Sequence, residues 1–458
     1  MTRYRPDPRI LDLGPDFYDA VAPAAFPKCI LRFTNGRWAE RVGLKPSEDD
    51  WARHFCRFEP LPQNLPEPLA LRYHGHQFRV YNPEIGDGRG FTFAQLRDGN
   101  SRLLDLGTKG SGQTPYSRHA DGRLTLKGGV REVLATEMLE ALGVNTSKSF
   151  ALFETGEELQ RGDEPSPTRS AVLTRLSHGH IRIGTFQRLA FFGDVDNLKK
   201  LTGYCLENLY SEPPGADDGE NALRLFDLVS AGTARLAASY LAAGFVHGVL
   251  NSDNINITGE SFDYGPWRFT PDWEPEFTAA YFDHHGLYAF GRQPEAIHWD
   301  LAQFAGCLSL LAGAPALSDM LAAWSGRFEQ ALVEEMIRRM GIAPGDNDRS
   351  VAAALIKALA TRAQTIDRVF FDWRGGRDPG PEQYPADEFR ALAKLLNGRE
   401  QARRHAYWSD PAPCSMHIDE VEAIWSAIAT SDDWQPFNNK VKAIRRMGGA
   451  MEQDAGPG

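Results

Sequence analysis

The sequence predicts an α+β chain of two lobes, a strand-rich N-terminal lobe followed by a mainly helical C-terminal one. Three observations carry this. Strand patterns and a single helix crowd into residues 91–177; a polar, proline-containing stretch, SEPPGADDGE, breaks the texture at 211–220; helical patterns dominate afterwards.

Residues 1–65 are broken by proline, rich in aromatics and without a clear period, and 1–70 are expected to form an N-terminal extension. FTFAQLRDGNSRLLDLGTKG, 91–110, reads as two strands around a turn at Asp98-Gly99-Asn100. GGVREVLATEMLEALG, 128–143, reads as a helix. Val130, Val133, Leu134, Met138 and Ala141 line one apolar stripe, Glu137 interrupts it, and Gly143 is a stop. SFALFETGEEL and SAVLTRLS read as strands, which completes a strand-rich lobe over 71–215. Residues 222–243 read as a long helix rich in Ala and Leu, and FVHGVLNSDNINITGESFDYGPW as strand, polar loop, strand. Helical patterns follow at about 298–313, 317–341, 349–368 and 386–397, within a lobe expected over 216–445. GGAMEQDAGPG reads as frayed, so 446–458 are expected to be a flexible tail.

The composition is globular: of 458 residues, 42% are hydrophobic and 24% charged, which excludes wholesale disorder. A net charge of −11 disfavours a duplex-binding protein but leaves room for one basic pocket. There is no apolar run of membrane-spanning length, and the opening residues have no apolar h-region, so a membrane partner and a secretory signal are not expected. Cys29, Cys56, Cys205, Cys307 and Cys414 lie far apart without a CxxC pair. Five reduced cysteines in a cytoplasmic protein are the expectation.

Four clusters carry candidate chemistry. Gly86-Asp87-Gly88-Arg89-Gly90 places glycines at alternate positions beside a cation, which suits a phosphate and equally suits a plain hairpin turn. Lys109 ends a strand ahead of a glutamate-bearing helix, the arrangement of the kinase lysine–glutamate pair; two surface charges explain it as well. Periodicity leaves the partner open, because Glu137 lies in the apolar stripe and Glu132 on the far side of the wheel. Asp121-Gly122 reads as a turn. Arg175 and Arg182, with His178 and His180 between them, could fork onto a phosphate or face solvent.

The fourth cluster, His247-Gly248-Val249-Leu250-Asn251-Ser252-Asp253-Asn254, resembles the catalytic loop of small-molecule kinases, and Asp263-Tyr264-Gly265 resembles the kinase Asp-Phe-Gly. An amide and a carboxylate on neighbouring strand ends can hold a divalent ion between phosphates. Val249 stands where a kinase places its catalytic Asp, and Asp253 is the nearest replacement carboxylate. Asp300 is expected to cap a helix N-terminus, with a brace under the catalytic loop as the alternative. Asp283, His284 and His285 are not expected to bind metal, since adjacent side chains on extended backbone point apart.

Together, HGHQFRVYNPEIGDGRG, TKGSGQTPYSRHADGR, VREVLATEML, TRLSHGHIRIGTF and HGVLNSDNINITGESFDYGP resemble the selenoprotein O family, called YdiU in bacteria. The resemblance spans roughly 73–300, in family order, and implies a protein-kinase-like fold and a pseudokinase that binds ATP flipped and transfers AMP to protein hydroxyls. It further implies that Gly86, Gly88, Arg89, Lys109, Asp121, Gly122, Arg175, Arg182 and Asp263 bind nucleotide. Glu132 would pair with Lys109, Asn254 and Asp263 would hold Mg2+ or Mn2+, and Asp253 would be the general base. Arg79 departs from the family's usual Gly, Tyr281 stands where some members carry Cys, and no cysteine follows Cys414, unlike the family's redox-linked tail. The expected partners are proteins with Ser, Thr or Tyr hydroxyls. Two rival readings stay open: a phosphotransferase that uses Asp253, and a catalytically inactive ATP-binding module. The sequence does not choose between ATP and UTP.

Overall fold

The computed structural model describes residues 3–162 and 164–455. Among these, the strands are β1 (Tyr18–Ala20), β2 (Ile30–Thr34), β3 (Leu69–Leu71), β4 (Gly75–Gln77), β5 (Val80–Asn82), β6 (Thr92–Arg97), β7 (Leu103–Lys109), β8 (Leu124–Thr125), β9 (Lys148–Leu159), β10 (Thr168–Ser177), β11 (Phe245–Val246) and β12 (Arg268–Phe269). Seven of them form an antiparallel sheet in the order β1-β3-β6-β7-β10-β9-β2, with β8 added on β10; β4–β5 and β11–β12 are separate antiparallel pairs. The chain is thus mixed α and β, with its main sheet built from the first 177 residues.

The helices are α1 (Gly36–Arg41), α2 (Glu48–Phe55), α3 (Leu126–Ala141), α4 (Ile183–Phe192), α5 (Val195–Tyr204), α6 (Asp218–Ala243), α7 (Gln293–Leu308), α8 (Ala314–Ala322), α9 (Trp324–Met340), α10 (Asp348–Ala360), α11 (Ile366–Asp372), α12 (Asp387–Leu396), α13 (Ile418–Ser431) and α14 (Gln435–Ala455). One face of the sheet packs Phe93, Phe150 and Phe153 against Trp38 of α1 and Trp51 and Phe55 of α2. The other receives α3, whose Val130, Val133, Leu134 and Met138 continue into a core shared with α4, α6, α7, α13 and α14. A second helical core joins α9 to α12.

Local chemistry explains the elements that position the site. The β6–β7 turn closes because the Asp98 carboxylate accepts the N–H groups of Asn100 (2.9 Å) and Arg102 (3.0 Å). The Thr125 hydroxyl caps α3 through the Gly128 N–H (3.1 Å), and Gly143, at φ 81°, ends it. Asp217 caps α6, which stops at left-handed Gly244.

Several expectations need correction. Residues 1–70 are not patternless in space: β1 pairs with β3 and β2 with β9, so this stretch completes both edges of the main sheet. Cys29 and Cys56 are disulfide-bonded, with Cα atoms 6.1 Å apart, so only Cys205, Cys307 and Cys414 are free thiols. Folding brings these two together across β2 and the end of α2, a proximity no spacing rule encodes. The single pattern at 317–341 is split between α8 and α9, and that at 349–368 between α10 and α11, where Arg362 turns left-handed and Thr365 starts a new cap. The expected tail is helical to Ala455, because Ile444, Met447 and Ala450 of α14 are buried on the core; residues 456–458 lie outside the described residues.

Candidate active site

Lys109 ends β7 with its ammonium buried, where it meets three groups. It pairs with Glu132 of α3, stands 2.8 Å from Asp263 Oδ1, and donates to the Tyr264 carbonyl (3.4 Å). The structure therefore settles the partner that periodicity left open. Glu137 instead pairs with Arg445, 308 residues away. β10 supplies Arg175, whose Nη1 lies 3.4 Å from Asp263 Oδ1. Arg182, at the start of α4, reaches Asp87 Oδ1 (3.2 Å), the Asp253 carbonyl (3.0 Å) and Asp263 Oδ2 (3.9 Å), and lies over the rings of Tyr73 and Phe262.

Asp263 is the hub of this cation cluster, and its φ of 62° is one that side chains other than glycine rarely adopt. Burial opposes its charge, but Lys109, Arg175, Arg182 and Arg89 outweigh that and hold its carboxyl well below the ordinary value. Asp253 is set differently. It is 8% exposed, its Oδ1 has no hydrogen-bond partner, and burial pushes its carboxyl up to about 6 against the pull of Arg182. The two carboxylates share one cleft but are tuned in opposite directions, the pattern expected where one holds charge and the other moves a proton.

The loop carrying Asp253 is clamped from above. In the β4–β5 hairpin, the His76 N–H donates to Ser252 Oγ (2.7 Å) and the Phe78 N–H to Asn251 Oδ1 (3.0 Å), which also accepts from the Tyr288 hydroxyl (2.6 Å). Phe78 and Arg79 both have positive φ, which suits a tight two-residue hairpin turn between β4 and β5. Below the loop, His247 Nε2 donates to the Phe262 carbonyl (3.0 Å) and so steadies the approach to Asp263.

These groups line a cavity of about 320 Å³, in which Arg89, Lys109, Arg118, Arg175 and Arg182 face Asp87, Asp253 and Asp263. Gly86, Gly88 and Gly90 form one wall. Their lack of side chains is needed by the chain behind: a Cβ would stand 2.4 Å from the Tyr116 ring at Gly86, 3.0 Å from the Tyr116 carbonyl at Gly88, and 2.2 Å from the Thr108 carbonyl at Gly90.

Three expected residues lie off the wall. Asp121 is held by Arg161 (2.9 Å) one residue beyond the wall residue Ala120, and Gly122 serves the backbone, where a Cβ would strike the Gly112 carbonyl at 2.2 Å. Asn254 follows Asp253 directly, and its amide N donates to the Val249 carbonyl (2.9 Å), leaving its amide oxygen available. Asp300 does not cap a helix: α7 starts at Gln293, which puts Asp300 two turns inside and buried, and burial with the nearby Asp253 charge raises its carboxyl well above the usual range. Asp283 accepts the Leu287 and Tyr288 N–H groups (both 2.8 Å), and no metal-ligating group of three His, Cys, Asp or Glu exists among the described residues. Sequence reasoning missed Tyr73, Asp87 and Arg118. Asp87 was findable, since it stands inside the glycine cluster; Tyr73 and Arg118 carry no local signal.

Comparison with known proteins fits this cleft. The family model described as "Protein adenylyltransferase SelO" matches residues 2–378. The chain belongs to the SelO family. It is 42% identical to "Protein nucleotidyltransferase YdiU" of Gloeobacter violaceus, over 96% of this chain and 95% of that protein. It is 39% identical to the Synechocystis protein of the same name, over 96% and 97%. The SelO match thus covers every cleft residue named above, from Tyr73 to Asp300, and stops ahead of α12, α13 and α14.

The tuning of Asp253 sets a pH expectation for this SelO member. A group that must accept a proton works above its own value, so kcat/KM should rise with pH and level off above about 6. Asp263 stays ionised throughout that range and adds no second acid limb. A pH–rate profile of the wild type and Asp253→Asn checks this: the limb near 6 should vanish in the variant.

Proposed function

We propose that this nucleotidyltransferase moves AMP from ATP to Ser, Thr or Tyr hydroxyls of proteins and releases pyrophosphate, within a bilobal kinase-like fold. The observation that carries the reading is the grip of Lys109, Arg175 and Arg182 on Asp263, with the buried, unpartnered Asp253 Oδ1 in the same cleft. Family membership supports AMP as the group transferred. The Lys109–Glu132 pair between β7 and α3, with Asp263 beyond, supports the kinase-like arrangement.

The acceptor hydroxyl attacks the α-phosphorus and forms a new P–O bond. The bond from that phosphorus to the oxygen bridging to the β-phosphate breaks, and its electron pair leaves with pyrophosphate. Asp253 Oδ1, buried and without a partner, takes the hydroxyl proton. Lys109, Arg175 and Arg182 offset the charge growing on the phosphates. They are already desolvated and held on Asp263, so little reorganisation is needed. The flipped nucleotide that places the α-phosphorus beside Asp253 is part of the proposal and rests on the family.

The donor set fits a hard divalent cation. Asp263 and the free amide oxygen of Asn254 are oxygen ligands, and two protein oxygens completed by phosphates are typical for Mg2+. Mg2+ or Mn2+ held by Asn254 and Asp263 would supply charge neutralisation between the phosphates. No helix among the described residues is long and apolar enough to cross a membrane. A cytoplasmic setting without nucleic-acid partners belongs to the same reading; the free thiols and the acidic balance support it, while the Cys29–Cys56 bond does not follow from it.

Mass spectrometry of protein acceptors incubated with the enzyme, ATP and Mg2+ or Mn2+ tests the reading. AMP adducts on hydroxyl side chains are expected. Adducts of a single phosphate would favour the phosphotransferase.

A further inference from the structure

α14 lies wholly beyond residue 378, where the family match ends, yet it packs on α3, the helix that carries Glu132. Val441, Ile444 and Met447 enter the same core as Val130, Val133 and Met138. The two helices approach closely at Gly448, where a Cβ would stand 3.2 Å from Ala141 Cβ. Beside this contact, Arg445 forks onto Glu137, with Nε to Oε2 and Nη2 to Oε1 both 2.7 Å. The Glu137 side chain is 2% exposed, and Arg37 of α1 stands 3.7 Å away on another side. Five residues of helix separate Glu132 from Glu137, so they face directions about 140° apart. One face of α3 holds Lys109 and another is gripped by α14.

A buried carboxylate in an apolar stripe is costly unless paired. Apolar contacts alone tolerate sliding and rotation, whereas a two-bond fork fixes both. The precision matters because Lys109 has a competing partner: Asp263 Oδ1 lies 2.8 Å from its ammonium. If α3 drifts, Lys109 is left to Asp263 and its aim at the phosphates changes. We propose that α14 is a built-in brace for α3, with Arg445 a positioning residue that acts through Glu137 to keep Glu132 on Lys109. The proposal rests on the reading of Lys109 as a nucleotide-binding group.

The test is a double-mutant cycle in the full-length enzyme. Arg445→Ala should lower kcat for AMP transfer at least about tenfold, as expected for a misplacement of about 1 Å. Arg445→Lys, which keeps the charge but not the fork, should recover part of it. In a Glu132→Ala background, Arg445→Ala should cost less than about twofold, because the group it positions is gone. Arg446→Ala, on the same helix as Arg445, breaks the exposed pair with Asp410 and should leave the rate unchanged. An equal fold-loss in both backgrounds would make Arg445 a general stability residue and overturn the proposal, as would a folded Arg445→Ala enzyme with the wild-type rate. Should Arg445→Ala not fold, Arg445→Lys carries the same cycle. ATP affinity by calorimetry runs the cycle independently of chemistry. A wild type that transfers no AMP, with the cycle still non-additive for ATP, would count against the reaction and for the brace.

Discussion

Asp253→Asn slows AMP transfer by about 10²-fold or more while ATP affinity in the presence of metal stays near that of the wild type. The substitution keeps size and hydrogen bonding but removes the ability to accept a proton. The effect falls on the transition state because Asp253 Oδ1 makes no ground-state hydrogen bond and Arg182 binds the residue through its backbone carbonyl. Val249 cannot substitute, having no proton acceptor. Val249→Asp supplies a companion: a restored kinase-type carboxylate should still yield no protein phosphorylation if the α-phosphorus occupies the reactive position. Single-turnover rates with calorimetry decide the point. Full-rate transfer by Asp253→Asn, or an equal loss of rate and affinity, would remove the base from the mechanism.

Asp263→Asn reduces transfer at limiting Mg2+ or Mn2+ by roughly 10³-fold, the larger of the two effects. Asn tolerates the left-handed backbone at this position, so the variant isolates the charge from the fold better than Asp263→Ala does. On the proposed assignment, loss of the carboxylate removes a metal ligand, and it leaves Lys109 and Arg175 without the anion that lies 2.8 and 3.4 Å from them. Raising the metal concentration should restore little, since an amide oxygen is a poor replacement for a carboxylate. Metal titrations of rate show this directly, and a variant with wild-type rate at limiting metal would contradict the assignment.

Much of this site was legible because its signals are local. The β6–β7 turn is written in Asp98-Gly99-Asn100, α3 in its apolar stripe and terminal Gly143, and the cleft in the lysine, paired arginines and Asp-Tyr-Gly that stand at element ends. What escaped is long-range. β1 and β2 are short strands whose partners lie far along the chain, so no period marks them. The Cys29–Cys56 bond depends on how α2 folds back over β2. Asp300 was misplaced because its helix starts seven residues earlier, at Gln293 with Pro294 in its first turn. Glu137, which broke the stripe, had no rationale until Arg445 arrived from the other end of the sequence. Asp121, Gly122 and Asn254 stand beside the cavity wall rather than on it, and sequence pattern does not resolve a displacement of one or two residues.

The central claim is that this cleft presents the α-phosphorus, not the γ-phosphorus, to a protein hydroxyl. ATP labelled at one or the other position, incubated with enzyme, metal and protein acceptors, tests it most directly. The account predicts α label on protein, γ label only in released pyrophosphate, and loss of both signals in Asp263→Asn. γ label on protein from the wild type would contradict it.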